Sequence, residues 1–202
     1  MSITLHCRHG LPAEQCGICR GQYRTRKPVK REPRVNQQLD ADVVIVAAGV
    51  VAYKEYLQHA AYVCQPNRNF ARSPRWMGFY ADEEIKPEIP EILHERDVVL
   101  FTTDEVARLR AMGTDVELRV ADLIETLLRQ GAREYRAELK VVLLSPADDK
   151  RTLILPHPIQ NDLTDYKGSG TAFTQFQRYT QRAELERRPL TTSELVVTGE
   201  EP

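Results

Sequence analysis

Cysteine and long apolar segments are both scarce in this chain. Its 202 residues include four cysteines, ten glycines and one tryptophan. Four cysteines are too few for a disulfide scaffold, so we expect a reducing compartment. No apolar run approaches the ~18 residues of a membrane span, and the first residues lack the apolar core of a secretory signal. These absences predict a cytoplasmic protein without a membrane partner.

Positive and negative charges nearly balance over the whole chain, whose formal net charge is −1. Residues 1–34, however, hold eight lysines and arginines against only Glu14 and Glu32, a local charge of +6, which leaves −7 for the rest. A basic arm on an acidic body favours a polyanionic partner for the arm. A solvated linker without a partner would have the same composition, and both interpretations remain open.

The N-terminal segment concentrates metal-binding residue types. Cys7, His9, Cys16 and Cys19 follow the spacing C-x-H-x6-C-x2-C. Zinc takes four tetrahedral nitrogen and sulfur ligands, and a Cys-x2-Cys turn supplies two of them on one side of the ion. Segment 1–22 has too few apolar residues to fold unaided, so a metal would stabilise it. The pattern predicts a structural zinc knuckle with Zn²⁺ as the cofactor.

Alternatives to this ligand set exist. His6 could replace His9, although it would lie directly beside Cys7. Cys16 and Cys19 could form a redox pair, but neither the strand nor the helix that this motif requires flanks them. Free surface thiols are the third possibility. Four protein ligands would leave no open position for a catalytic water.

Composition divides the chain into four parts. We expect a zinc knuckle over 1–22, a basic, proline-containing linker over 23–40, an α+β domain over 41–185 and a polar C-terminal tail over 186–202. The tail is expected to fray because it is polar.

Hydrophobic periodicity predicts the elements of the domain. The β-branched run 42–48 is typical of a buried strand, and a helical stripe follows from Tyr53 to Cys64. Further strands are predicted at 76–81 and 98–101. Thr102 and Thr114, each with a glutamate three residues later, are N-caps of two helices that end at Gly113 and Gly131.

Two more apolar runs, 139–144 and 152–155, are joined by a turn-forming segment and predict an antiparallel hairpin. Segment 172–180 fits neither the helix period nor the strand period. The inventory lacks strand–helix–strand regularity, so the predicted fold class is α+β, with a curved mixed sheet or small barrel and inserted helices.

Arginine and aromatic side chains are interleaved at two places, 68–80 and 178–179. Arginine neutralises phosphate, and an aromatic ring offers a stacking surface for a base; aromatic residues in strands are also common core residues. Together with the arm, these places give a candidate nucleic-acid-binding set: Arg20, Arg24, Arg26, Lys27, Lys30, Arg31, Arg68, Arg72, Arg75, Trp76, Tyr80, Arg178 and Tyr179.

A nuclease hypothesis rests on Glu138 and Lys140. E-x-K at the start of an apolar strand is half of a Mg²⁺-dependent nuclease site, in which the carboxylate binds the metal and the lysine steadies the phosphate. The nearest upstream aspartates, Asp115 and Asp122, lie on a predicted helix. Short charged motifs of this kind arise often by chance in a chain that is 28% charged.

The order of elements resembles the PUA-like superfamily, which includes EVE, ASCH and YTH domains. The similarity covers residues 41–183 and rests on the strand at 42–48, the helix after it and the segment from Arg75 to Tyr80. It implies a small α+β barrel that holds a base in an aromatic pocket lined by Trp76, Tyr80 and Tyr179. It also implies recognition of modified bases and, in bacteria, a role in defence against phage.

The leading hypothesis is therefore a non-catalytic, zinc-containing nucleic-acid-binding protein. The alternatives are a Mg²⁺-dependent nuclease and an adaptor whose knuckle binds another protein. The sequence contains no Walker A, dinucleotide-binding or nucleophile-elbow motif.

Overall fold

A curled sheet of seven strands forms one half of a barrel in the computed structural model, which describes residues 29–199. Its strands are β1 (Arg34–Val35), β2 (Val43–Ala47), β4 (Trp76–Ala81), β5 (Glu84–Ile85), β10 (Ile159–Gln160), β11 (Gln177–Thr180) and β12 (Val196–Val197). They lie in the order β1-β12-β11-β2-β4-β5-β10. The pairs β2–β4 and β1–β12 are parallel, and the others are antiparallel.

Two smaller sheets and the helices complete the fold. One sheet has the order β3-β8-β7 and the other pairs β6 with β9. These strands are β3 (Ala61–Cys64), β6 (Glu88–Ile89), β7 (Ile92–Leu100), β8 (Glu138–Leu144) and β9 (Leu153–Ile154). The helices are α1 (Gly49–His59), α2 (Thr103–Met112), α3 (Asp115–Arg129) and α4 (Arg182–Glu186), with a 3₁₀ turn at Thr192–Glu194. Within residues 29–199, no helix has the length and apolar character needed to cross a bilayer.

Strand β2 is buried on both faces, which explains its continuous β-branched run. Val43 and Ile45 contribute to the cluster on one side of the seven-stranded sheet. Val44 and Val46 contribute to a second cluster, together with residues of β3 and β8. Alternate residues of a strand point to opposite faces, so β2 lies between two parts of the core.

A third cluster packs α2 and α3 against the three-stranded sheet. The two helices begin where their caps predict, because the Thr102 and Thr114 side chains accept hydrogen bonds from the backbone N–H groups of Glu105 and Glu117. Gly113 ends α2 in the left-handed conformation, at φ 72°. This pair of helices and the predicted strand at 76–81 are confirmed.

The helix expected to continue to Cys64 ends earlier. Helix α1 stops at His59, Ala60 turns into the left-handed region and Ala61–Cys64 forms β3. Leu57, expected on the apolar stripe, is 47% exposed. The register of Ala61–Cys64 against β8 supplies backbone hydrogen bonds along the strand, so pairing outweighs the helical pattern.

The hairpin predicted between 139–144 and 152–155 does not form. Both edges of β8 are occupied, one by β3 and the other by β7. Leu153 and Ile154 instead pair with Glu88 and Ile89.

The segment expected as a polar tail belongs to the fold through residue 199. Leu195 and Val197 are 0% exposed, and β12 lies between β1 and β11. Arg34 and Val35, expected in a linker, pair with Val196 and Val197. Strand β12 thus pairs with β1 on one side and with β11 on the other, so both segments belong to the seven-stranded sheet.

Candidate nucleic-acid interface

A cavity of about 190 Å³ opens between the seven-stranded sheet and the three-stranded sheet. Val46 of β2 and its register partner Gln177 of β11 lie at one side. The full lining is Val46, Tyr62, Asn67, Arg68, Phe70, Phe176 and Gln177. An engineered apolar cavity of ~150 Å³ holds benzene, so this cavity has room for an aromatic ring.

The walls are mainly apolar and aromatic, and the polar groups are few. Tyr62 is 5% exposed and Phe176 is 50% exposed. Phe70 packs partly into the core that contains β2. Asn67 and Arg68 follow β3 and are exposed. Apolar walls with a small number of placed polar groups are typical of sites for small planar ligands.

Hydrogen bonds hold the segment after β3 against β11. Gln177 Nε2 donates to the Asn69 carbonyl at 3.0 Å, and Gln177 Oε1 accepts from the Tyr179 hydroxyl at 2.9 Å. The same hydroxyl accepts from the Ala71 N–H at 2.8 Å. These bonds fix the position of Phe70, which lies between the two anchored residues, in the cavity wall.

Lys140 lies behind Phe70. Its Nζ is 4.8 Å from the Phe70 ring centroid, and it bonds to Asp97 at 2.9 Å and Glu95 at 3.0 Å. Burial opposes the charged form of Lys140, but the bonds to Asp97 and Glu95 outweigh burial and raise its pKa above the ordinary value. The ammonium therefore stays charged and contacts one face of the ring.

Among the predicted residues that lie within 29–199, Arg68 is the one that lines this cavity. Arg72 donates to the Leu39 and Gln37 carbonyls at 2.7 and 3.2 Å. Arg75 bonds to Glu91 at 2.9 Å, and its guanidinium lies 4.6 Å from the Trp76 ring centroid. These two arginines thus have partners within the fold.

The aromatic residues that the resemblance assigns to a pocket are core residues in this structure. Trp76 and Tyr80 are 8% and 9% exposed and pack in the cluster away from the cavity. Tyr179 is fully buried, and its hydroxyl donates to Gln177, which lines the cavity. Arg178 lies 5.1 Å from the Phe173 ring centroid.

The basic arm is described only from residue 29. Lys30 forms an ion pair with Glu32, and Arg31 contacts Asp162 at 3.4 Å. The other predicted residues of the arm and the predicted zinc ligands lie outside the described residues: Arg20, Arg24, Arg26, Lys27, Cys7, His9, Cys16 and Cys19.

The residues of the nuclease hypothesis do not come together as a metal site. Asp122 bonds to Arg110 at 3.1 Å, and Lys140 is occupied by Glu95 and Asp97. Glu138 is exposed at the first position of β8. Across residues 29–199, no group of three or more His, Cys, Asp and Glu side chains is placed to hold a metal ion.

Sequence reasoning missed most of the cavity. Tyr62 was assigned to a helix, and Phe176 and Gln177 lie in the segment whose period is ambiguous. The sequence signal that could have found the cavity is the run from Asn67 to Phe70, which follows Pro66 and carries an amide, a guanidinium and an aromatic ring. The pairing of β2 with β11, the pairing of β3 with β8 and the bond from Gln177 to Asn69 bring these segments together.

In comparisons with known proteins, no protein-family model, curated protein or solved structure matches the chain. Its function is therefore inferred from the geometry and chemistry of its own residues.

Proposed function

We propose that this protein binds nucleic acid without cleaving it, and that the cavity beside Phe70 accepts a base. The observation that carries the proposal is the combination of aromatic walls with Asn67 and Arg68 in one cavity. A planar ring can stack on Phe70 or Phe176, an amide can hydrogen-bond to a base edge, and a guanidinium can neutralise a phosphate. The proposed zinc knuckle and basic arm would add phosphate contacts that are indifferent to sequence.

The PUA-like resemblance is part of the proposal. The curled half-barrel and the aromatic cavity support it, although the cavity uses Tyr62, Phe70 and Phe176 in place of the residues that the resemblance implies. A modified base as the preferred ligand, and a role in defence, follow only from the resemblance.

Fluorescence anisotropy with labelled single-stranded and double-stranded DNA and RNA tests the base site. Phe70→Leu keeps an apolar side chain but removes the aromatic face, and we expect it to weaken binding by about 1–3 kcal/mol. Arg68→Ala should weaken binding and reduce the salt dependence by about one phosphate contact. Tyr166→Leu and Arg129→Ala change exposed residues outside the cavity and serve as matched controls. Equal affinity in all four variants would contradict the base site.

The arm and the knuckle need a separate test. Deleting residues 1–28 should lower affinity and flatten the log–log salt plot, because each lost phosphate contact removes about 0.7–0.9 from its slope. Elemental analysis of the full chain should give one zinc per molecule. The double variant with Cys16→Ser and Cys19→Ser should contain none. Protein that contains no metal, or an unchanged slope after the deletion, would refute the corresponding part.

A further inference from the structure

A second cavity adjoins the base cavity. It has a volume of about 360 Å³ and shares Tyr62 and Arg68 with the first cavity. Its remaining lining includes Ala47 at the end of β2, Ala52 in the first turn of α1, Cys64 at the end of β3, Arg133 before β8 and Leu139 within β8. Two cavities with a common wall can hold two parts of one ligand.

The two compartments differ in chemistry. The first has Phe70 and Phe176 in its walls, whereas the second contains no phenylalanine but adds a second arginine, Arg133. Among the described residues that line either cavity there is no aspartate or glutamate. An anionic group is therefore favoured in the second compartment, directly beside the place for a ring.

Arg133 is fixed in position by its neighbours. Its Nη2 bonds to the buried Glu55 carboxylate at 2.6 Å, and its Nη1 donates to the Ala132 carbonyl at 2.7 Å. A guanidinium has five N–H donors, so donors remain after these two contacts. Glu55 compensates the charge of Arg133, and Arg68, at the shared wall, supplies the net positive charge.

We propose that the site binds a phosphorylated nucleotide unit, with the base in the first cavity and its phosphate in the second. This inference rests on the proposed function. The ligand class is a nucleoside monophosphate unit, either free or within a polynucleotide. Arg68 contacts both parts, because it lines both cavities. Arg68 supplies the net positive charge and Arg133 supplies further N–H donors, so charge-assisted hydrogen bonding makes the phosphate a large part of the affinity.

The test uses the full chain and competition against a labelled oligonucleotide. Each nucleoside is compared with its 5′- and 3′-monophosphates, and we expect a monophosphate to compete about tenfold better than its nucleoside. Ala52→Asp places a carboxylate in the second cavity, and it should abolish this difference. The first turn of a helix favours an acidic residue, so the variant is expected to fold. Val51→Asp adds the same charge one residue away, at a side chain that is 69% exposed, and should keep the difference.

The competition experiment distinguishes the two possible sources of the ligand. A mononucleotide that competes as well as an oligonucleotide of the same base identifies a free nucleotide. An oligonucleotide that competes at least tenfold better, with the same response to Ala52→Asp, identifies a nucleotide within a chain. Both results support the inference.

Equal competition by nucleoside and monophosphate, or equal effects of the two carboxylate variants, overturns the inference. Oligonucleotide binding that still depends on Phe70 would then leave the proposed function intact. Failure of the wild-type chain to bind any oligonucleotide defeats the proposed function, and direct titration with mononucleotides then decides the phosphate site separately.

Discussion

Lys140 shows at the scale of one residue how a sequence motif can mislead. The E-x-K pattern predicts that its ammonium binds phosphate, yet the side chain is 2% exposed and bonded to Asp97 and Glu95. A buried ammonium is tolerated when carboxylates pair with it. The same residue contacts Phe70, so in this structure it supports the wall of the cavity that Phe70 lines.

Removing the partners of Lys140 should cost more stability than removing the lysine. Glu95→Gln with Asp97→Asn leaves the buried ammonium without a counter-charge, and we expect a loss of about 2 kcal/mol in the free energy of unfolding. Lys140→Met replaces the ammonium by an apolar group and should cost less. Urea unfolding of both proteins measures the difference, and a larger loss in Lys140→Met would contradict this account.

Tyr62 should make the stability of the protein fall at alkaline pH. Burial, opposed in part by the Arg68 guanidinium, raises the pKa of Tyr62 to about 12 from 10.0. The folded state then binds the phenolic proton more tightly, so this contribution is complete below pH 10 and is lost as pH rises towards 12. At one pKa unit per ~1.4 kcal/mol, the loss is about 2–3 kcal/mol.

Comparison with phenylalanine isolates the Tyr62 contribution. In Tyr62→Phe, the free energy of unfolding should fall less steeply between pH 10 and 12 than in the wild type. Tyr166→Phe, at a side chain that is 70% exposed, is the matched control and should follow the wild-type curve. Tyr53 and Tyr56 also have raised pKa values, but they contribute equally to all three proteins.

At the scale of elements, the boundary between α1 and β3 depends on one residue. Ala60 ends the helix at φ 49° and ψ 45°, and its N–H bonds to the Tyr56 carbonyl. A non-glycine residue in the left-handed region costs roughly 1–2 kcal/mol. Glycine is the usual residue at this position, since it lacks the Cβ that causes the cost.

Ala60→Gly should therefore stabilise the protein by about 1 kcal/mol. Ala107→Gly, in the interior of α2 at an exposed position, is the control and should destabilise it by a similar amount. Thermal unfolding of the two variants gives the signs. A loss of stability in Ala60→Gly would show that the left-handed conformation of Ala60 does not destabilise the protein as its φ and ψ angles indicate.

At the scale of the whole molecule, the fold closes through its C-terminal strand. Val197 is 0% exposed and pairs with Val35 and Thr180, so β12 connects the two ends of the described chain within one sheet. Val197→Asp puts an unpaired charge into this core and should cost more than 3 kcal/mol. Val35→Asp, at a side chain that is 54% exposed, should cost under about 1 kcal/mol. Equal effects in urea unfolding would refute the role of β12.

Local patterns determined much of the secondary structure of this protein. The two capping threonines, the buried run of β2 and the α+β class follow from residues close together in sequence, because caps and periodic burial are local properties. The zinc knuckle and the basic arm are also local patterns, and they remain predictions. The course of α1 into β3 and the partner of β9 depend on which strand edges are free, and no local period contains that information.

The cavity lined by Tyr62, Phe70 and Gln177 was decided by tertiary structure. Tyr62, Phe70 and Gln177 come from segments separated by up to about a hundred residues, and they meet because β2 pairs with β11 and β3 pairs with β8. The arginine-aromatic segment at 68–80 contributes Arg68 and Phe70 to this cavity, and its role in nucleic-acid binding remains a prediction. Burial then divided its members: Trp76 faces the core because its strand is covered on both sides, whereas Arg68 follows the end of a strand and reaches the cavity.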